Sequence, residues 1–483
     1  METTVDGGTS NSGSELRGGL GVRQVVFFVI AAAAPLGYAV GQMPLAIGRG
    51  GVGAAGMFVV VGAILAVFAV GFVTMAKFVP RVGGMYLFVL EGLGRPMGVA
   101  TAFLALVAYA TASTGVIGVF SVFAQFSVSE LFGWDSSPWQ LWAFVAVLLM
   151  GALGVRGVEL NARVLGIVLL AETAILVLVA VAIALQGGSE GLTATAFKPS
   201  EMFGVSPGAA LALTGTAFAG FEATVLFVEE VKGGTRTIIR ATFLAIAIMV
   251  LTYAFVCWAF IQAFGDSQAV AIANADPTNM FFIATEGYVG AWAVKIMAVL
   301  VVSSWFASIL AFHNATSRYL FALGRDRVLP SLLGRSHARL GSPANASLTH
   351  TVFSIIVLIL FMFTGGDPFL DLLVLGAAPA VVGLPVIELI TSVAVFAFFM
   401  RNRRGFSVWR VLVAPALAAV LLALVVIVIF NQMELLTART GFWNYFIMGV
   451  IAAALVTGYL RALWLRHHQP DVYDQLAQRH SVA

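Results

Sequence analysis

Two apolar segments of membrane length, far apart in this chain, are each interrupted near the middle by residues that weaken a helix. The first runs from about 20 to 48 and carries Ala33-Ala34-Pro35-Leu36-Gly37; the second runs from about 205 to 228 and carries Ala217-Phe218-Ala219-Gly220-Phe221-Glu222. Proline removes an amide donor and clashes with the preceding turn, and glycine loosens the backbone, so a helix can unwind at either place. In lipid, unwound backbone is tolerated only where protein buries it or where it lines a cavity. A proline kink or a close-packing glycine accounts for either segment taken alone. Interruptions at corresponding places in two halves of one chain point instead to a binding site near the bilayer midplane, where the breaks meet.

Hydrophobic residues fill 60% of the 483 positions and charged residues only 10%, which excludes a soluble domain of this length. At roughly 20 apolar residues per span, about twelve segments emerge. They lie near 20–48, 54–78, 97–125, 139–155, 164–185, 205–228, 238–264, 287–312, 346–363, 369–400, 408–430 and 442–464. The expected fold is an all-α integral membrane unit over residues 19–466. Residues 1–18, rich in Gly, Ser and Thr, are expected to be a disordered cytoplasmic tail, and 467–483 a short polar one. The first segment is too long for a signal-peptide core and is expected to stay in the mature protein. The interrupted segments are the first and the sixth and cross in opposite directions. Five helices per repeat, inverted, bring both breaks side by side and leave two extra helices at the C-terminal end.

With the amino terminus in the cytoplasm, all of the 26 Lys and Arg except Arg49, Lys198, Lys295 and Arg439 fall in inner loops or tails. That bias places both termini inside and encodes orientation, not an acidic partner such as nucleic acid. Cys257 is the single cysteine, so no disulfide framework or cysteine metal site is expected. Gly48-Arg49-Gly50-Gly51 sits in an outer turn, not between a strand and a helix, and is no phosphate cradle. No cofactor is therefore expected. A proton gradient is the expected energy source, with sodium as the alternative. The long inner loop from about 313 to 345 alternates apolar and basic residues around Arg318–Arg327 and suits a short amphipathic helix at the interface.

Pro80-Arg-Val-Gly83-Gly84-Met-Tyr86 followed by Gly92-Leu-Gly94-Arg95-Pro96-Met-Gly98 resembles the loop after the second helix of the amino acid/polyamine/organocation transporter superfamily. Gly220-Phe221-Glu222, with Glu229-Glu230-Val231 downstream, resembles its sixth helix. His313-Asn314-Ala315, Arg318-Tyr319 through Leu329-Pro330, and Gly341-Ser342-Pro343 resemble the stretch between its helices eight and nine. The resemblance covers about helices one to nine. It implies a LeuT-like five-plus-five inverted repeat plus two helices, moving amino acids or related amines by alternating access in the inner or plasma membrane. Many members carry Gly-Ser-x-x-Gly-x-Gly at the first break, where this chain has Ala33-Ala34-Pro35-Leu36-Gly37.

An ionisable side chain near the bilayer centre costs about 2.5–3.5 kcal/mol on insertion scales, so each one needs a reason. Glu172 lies halfway along the fifth segment. In the superfamily the matching position often holds a lysine in place of a sodium ion, so the sign is reversed here. Glu172 is either a proton-coupling residue or a structural hydrogen-bonding group. Glu222 directly follows the sixth-segment break. It can bind the substrate ammonium through water, sense protons, or hold the unwound backbone by accepting its amides. Glu388 and Lys295 are weaker candidates, and Glu229 and Glu230 either gate the inner path or are solvated.

The backbone is expected to do most of the binding. Amides near Leu36 and Gly37, at the positive end of a half-helix, suit a substrate carboxylate. Carbonyls near Ala33, Ala34 and Thr216 to Ala219 suit its ammonium, beside Pro35 and Gly220. Phe218 and Phe221 are candidate caps of the pocket, although with 38 phenylalanines in the chain core packing is the better reading of Phe221. Small residues in Thr111–Gly115 and at Ser303-Ser304 leave room for a ligand or for close helix packing. The six histidines supply no obvious base for an intramembrane enzyme, which is the alternative from another class; a channel is a third reading. The orientation makes a direct prediction: single cysteines placed in 325–339, in a Cys257→Ser background, are shielded from an impermeant reagent in intact cells. Labelling from outside would overturn the helix count.

Overall fold

The computed structural model describes residues 21–79, 84–156, 162–204, 206–222, 224, 231, 234–337 and 339–478. The amino-terminal tail, Arg81, Glu229 and Glu230 lie outside the described residues. The first apolar segment forms three short helices, α1 (Val22–Ala33), α2 (Pro35–Gly41) and α3 (Met43–Gly50). There follow α4 (Ala54–Met75), the short α5 (Met85–Leu93), α6 (Arg95–Phe132), α7 (Trp139–Arg156), α8 (Ala162–Gln186) and the single turn α9 (Pro199–Met202). The second interrupted segment begins as α10 (Pro207–Thr216) and passes into non-helical turns at 217–220. Beyond it lie α11 (Thr235–Phe264), α12 (Ala269–Ala275), α13 (Met280–Tyr288), α14 (Ala291–Arg325) and α15 (Ala344–Met362). A π-helical stretch, Pro368–Leu375, leads into α16 (Ala378–Arg401), and α17 (Ala414–Asn431), α18 (Met433–Thr437), α19 (Phe442–His468) and α20 (Pro470–Gln478) complete the chain.

Ten stretches among the described residues are long and apolar enough to cross a membrane. They coincide with the uninterrupted segments of the sequence analysis. The remaining two are the broken ones, whose pieces are too short to qualify. Glycine and proline set the boundaries. Helix α6 starts after Gly94 at φ 93°, carries Pro96 in its first turn and stops at Gly133 at φ 66°, conformations that cost glycine little. Its 38 residues span about 57 Å at 1.5 Å per residue, well beyond the hydrocarbon core.

Two expectations are corrected, and the C-terminal tail gains detail. The basic stretch Arg318–Arg325 is no separate interfacial helix; it continues α14 without a break. Thr316, Ser317, Tyr319, Ala322 and Leu323 are buried there, so the apolar positions face protein instead of lipid. The residues expected as a loop at Met85 and Tyr86 begin α5, which is almost wholly buried. It lies so close to α16 that a β-carbon on Gly92 would come within 2.2 Å of the Ala394 carbonyl. The C-terminal tail is in part helical: α20 buries Val472 and Leu476, and Asp474 pairs with Arg95 at 2.8 Å.

Helix α6 packs against α14, α19, α16 and α7, and α11 against α4. Inside this frame α1 and α2 contact α8, α11 and α14, while α10 contacts α3, α4 and α17. The interrupted segments are therefore interior elements with neighbours on several sides, which is the condition for carrying unwound backbone through a membrane.

Candidate functional site

The first break is a single residue. Ala34 adopts φ 48° and ψ 69°, a left-handed conformation that costs a residue with a β-carbon roughly 1–2 kcal/mol. Pro35 follows at the first position of α2; it has no amide to leave unsatisfied. The first free amides are those of Leu36 and Gly37, and both have internal partners. Leu36 N–H donates to the Glu172 carboxylate, and Gly37 N–H donates to Ser304 Oγ at 3.0 Å. Ser304 Oγ in turn donates to Glu172 Oε2 at 2.6 Å. Glu172, only 3% exposed, thus closes the positive end of α2 with help from α14. The expectation that these amides face a substrate carboxylate does not hold in this conformation. Ser304 is likewise bound up with Glu172 instead of leaving room.

The second break is longer. Past Thr216 the chain winds tightly: the amides of Ala217, Phe218, Ala219 and Phe221 each donate three residues back, so the carbonyls of Thr216 and Phe218 are engaged. Gly220 sits at φ 103°, open to glycine alone at little cost. Its N–H donates to Glu222 Oε2 at 2.9 Å, and Tyr109 of α6 donates its hydroxyl to Glu222 Oε1 at 2.6 Å. Of the three readings of Glu222, the geometry displays the structural one: the carboxylate holds the unwound backbone. Helix α10 is held at its other end by Gln432, whose Oε1 accepts from Ser206 Oγ and from Gly208 N–H at 3.0 and 2.6 Å.

Among the described residues, two hydrogen bonds tie the interrupted segments together. Tyr38 of α2 donates its hydroxyl to the Leu213 carbonyl at 2.9 Å. Thr216 Oγ1 donates to Gln42 Oε1 at 2.7 Å. Between the breaks lies a cavity walled by Ala33, Tyr38, Gln42, Thr216, Ala219, Trp305, Ser308 and Phe312, with Ala112 and Val116 of α6 and with Leu373, Ala377 and Val381 on the far side. Among the described residues no charged side chain lines it. The π-helical stretch contributes Leu373 and Val374, a distortion of the kind that recurs at functional sites.

Of the residues singled out in the sequence, Ala33, Ala112, Thr216 and Ala219 face this cavity. Phe218 and Glu222 face a second one, which shares the walls Thr216, Ala219, Val381 and Leu384 with the first and also receives Glu388. Ala34, Pro35, Leu36, Gly37 and Gly220 shape the breaks without lining either cavity. Phe221 packs on Phe68 and Phe72 as core. Gly115 is a packing residue; a β-carbon there would come 2.6 Å from Ala377 Cβ. Lys295 lies exposed on the outside of α14.

Trp305 was not anticipated. Its ring lies on Gly37 and Gly41, where added β-carbons would come within 3.0 and 2.7 Å of it. The Gly-x-x-x-Gly spacing of those two glycines is the signal that a large neighbour packs there. A histidine pair also escaped notice: His350 Nδ1 and His313 Nδ1 are 2.8 Å apart, and His313 Nε2 bonds Ser347 Oγ at 2.8 Å. Neither histidine lines the two cavities. Among the described residues, no three His, Cys, Asp or Glu side chains converge to hold a metal ion.

Comparison with known proteins agrees with this architecture. An uncharacterized transporter of Mycobacterium tuberculosis is 28% identical over 206 residues, 43% of this chain and 45% of the relative. Cationic amino acid transporter 6, chloroplastic, of Arabidopsis thaliana is 26% identical over 200 residues, 40% of this chain and 32% of its own length. The branched-chain amino acid permease BcaP of Lactococcus lactis is 25% identical over 329 residues, 64% of this chain and 70% of its own. The chain thus spans less than half the length of the first two relatives. The family profile described as amino acid permease matches residues 20–453, a range that takes in both breaks and both cavities. A family of permeases leaves no place for the intramembrane enzyme, and the motif resemblance to the wider superfamily stands: the chain belongs to the amino acid permease family.

Proposed function

We propose that this protein carries amino acids across a cell membrane by alternating access, binding them in the cavity between the two broken helices and drawing on a proton gradient. The observation that carries the reading is the convergence of both breaks on one interior cavity, with Ala33 from the first and Thr216 and Ala219 from the second in its wall. A five-plus-five inverted repeat with both termini in the cytoplasm accounts for that convergence. The neutral wall suits an amino acid skeleton whose charges are met by polar groups near the breaks: Gln42, Thr216, Ser308 and Tyr38. Relatives named as carriers of cationic and of branched-chain amino acids support the substrate class.

Glu172 offers a physical route to proton coupling. As a carboxylate it holds Leu36 N–H and the Ser304 hydroxyl, and so ties α2 to α8 and α14. Adding a proton removes the charge that faces the α2 dipole and weakens that tie. A conformation in which α1 and α2 pull away from α8 and α14 is then favoured by protonation, which is differential binding of the proton to two states. One observation favours exchange without coupling: a capping carboxylate of this geometry is also a sufficient structural element by itself.

Two variants separate these readings. Ala219→Leu adds bulk to a wall residue without straining the backbone, unlike any substitution at Gly220. It is expected to abolish amino acid binding while the protein stays monodisperse. Normal binding by a folded Ala219→Leu protein would remove the cavity from the mechanism. Glu172→Gln keeps nearly the volume and the neutral form. In proteoliposomes it is expected to exchange amino acids and to lose uphill accumulation driven by a proton gradient; accumulation at the wild-type level would leave Glu172 a structural cap.

A further inference from the structure

We infer that the second cavity receives the positively charged end of a substrate side chain, with Glu388 as its counter-charge. The inference rests on the reading of the first cavity as the amino acid site. Glu388, on α16, is 8% exposed and lines the second cavity. Its carboxylate has no hydrogen-bond or ion-pair partner among the described residues. Glu222, the other acid in that cavity, has both oxygens engaged, by Tyr109 and by Gly220.

A buried carboxyl group is as a rule either paired with a cation or neutralised by a proton, because a bare charge in a low-dielectric interior is costly. Nothing in the described walls supplies such a cation. Among the described residues no Lys, Arg or His lines either cavity, and the groups that share the second cavity with Glu388 include Glu222 from the second break, with apolar Leu65 of α4 and Leu422 and Val425 of α17. In such surroundings Glu388 holds a proton until a ligand brings a cation to take its place.

The walls also indicate its type. A bare alkali ion needs a shell of oxygens, and the second cavity offers few that are free: Glu388, with Glu222 held by Tyr109 and Gly220 and the Thr216 hydroxyl directed at Gln42. An ammonium or guanidinium at the end of a methylene stem brings its own donors and covers aliphatic walls with its stem. The route exists, because Thr216, Ala219, Val381 and Leu384 border both cavities. An amino acid held at the breaks would pass its stem across Ala219, the smallest of the four, and set its cation beside Glu388.

The test is binding of lysine and of norleucine, which has a similar chain without the terminal ammonium, to purified full-length protein. The wild type is expected to favour lysine by roughly tenfold or more, and Glu388→Gln to lose that preference while keeping norleucine affinity within about twofold. Retained norleucine binding shows that the variant is folded. Should Glu388→Gln fail to fold, the wild-type preference still decides, and Glu388→Asp, which withdraws the carboxylate by one methylene, should weaken lysine selectively. Three results overturn the inference and leave the amino acid reading intact: wild type that favours norleucine, a Gln variant with unchanged lysine affinity, or a Gln variant that loses only proton-driven accumulation. Failure of the wild type to bind any amino acid would sink the underlying reading as well.

Discussion

The structure depends on satisfying unwound backbone inside a low-dielectric interior. Each broken helix leaves amides with no partner of their own, and water is not freely available there to supply one. One glutamate serves each break. Glu172 reaches from α8 to the start of α2 with Ser304 as intermediary, and Glu222 folds back on its own segment while Tyr109 steadies it from α6. Two acids that look expensive on a hydropathy scale are what make the interruptions tolerable. They also link the breaks to the surrounding helices, so a movement of either broken segment has to change one of these contacts.

Small residues make the rest of the arrangement possible. Gly37 and Gly41 let the Trp305 ring lie flat on α2, and Gly118 admits the Pro368 carbonyl at the start of the π-helical stretch. Behind the cavity, Tyr38, Phe58, Tyr253 and Phe218 form a continuous aromatic cluster, with Tyr38 and Tyr253 centroids 5.2 Å apart. An aromatic wall beside the unwound backbone gives the cavity a defined shape even though its described lining carries no charged side chain. Two acids, Glu222 and Glu388, line the adjoining cavity.

Much of this was legible in the sequence, and the rest was hidden for a physical reason. The breaks at Ala34 and at 217–220 follow from local chemistry, because proline and glycine act on their immediate neighbours. The ten uninterrupted spans follow from apolar length alone. The partners of the freed backbone do not. Gly37 and Ser304 are 267 positions apart, and Tyr109 and Glu222 are 113 apart. No periodicity reports such a meeting, so the amides of Leu36 and Gly37 looked free for a substrate. The continuation of α14 through Arg325 was misread for a related reason: an apolar face looks the same whether lipid or protein covers it. Glu388 looked minor because its significance comes from a cavity shared with Glu222 and from the absence of a partner among the described residues.

The central claim, that the cavity between the breaks is the site of an alternating-access carrier for amino acids, is tested most directly by counterflow. Purified protein is reconstituted into liposomes loaded with an unlabelled amino acid, and entry of the labelled amino acid is followed with no ion gradient imposed. The account predicts saturable entry that transiently concentrates the label inside loaded vesicles and is absent from empty ones. Entry that rises linearly with concentration and ignores the internal load would contradict it and identify a channel.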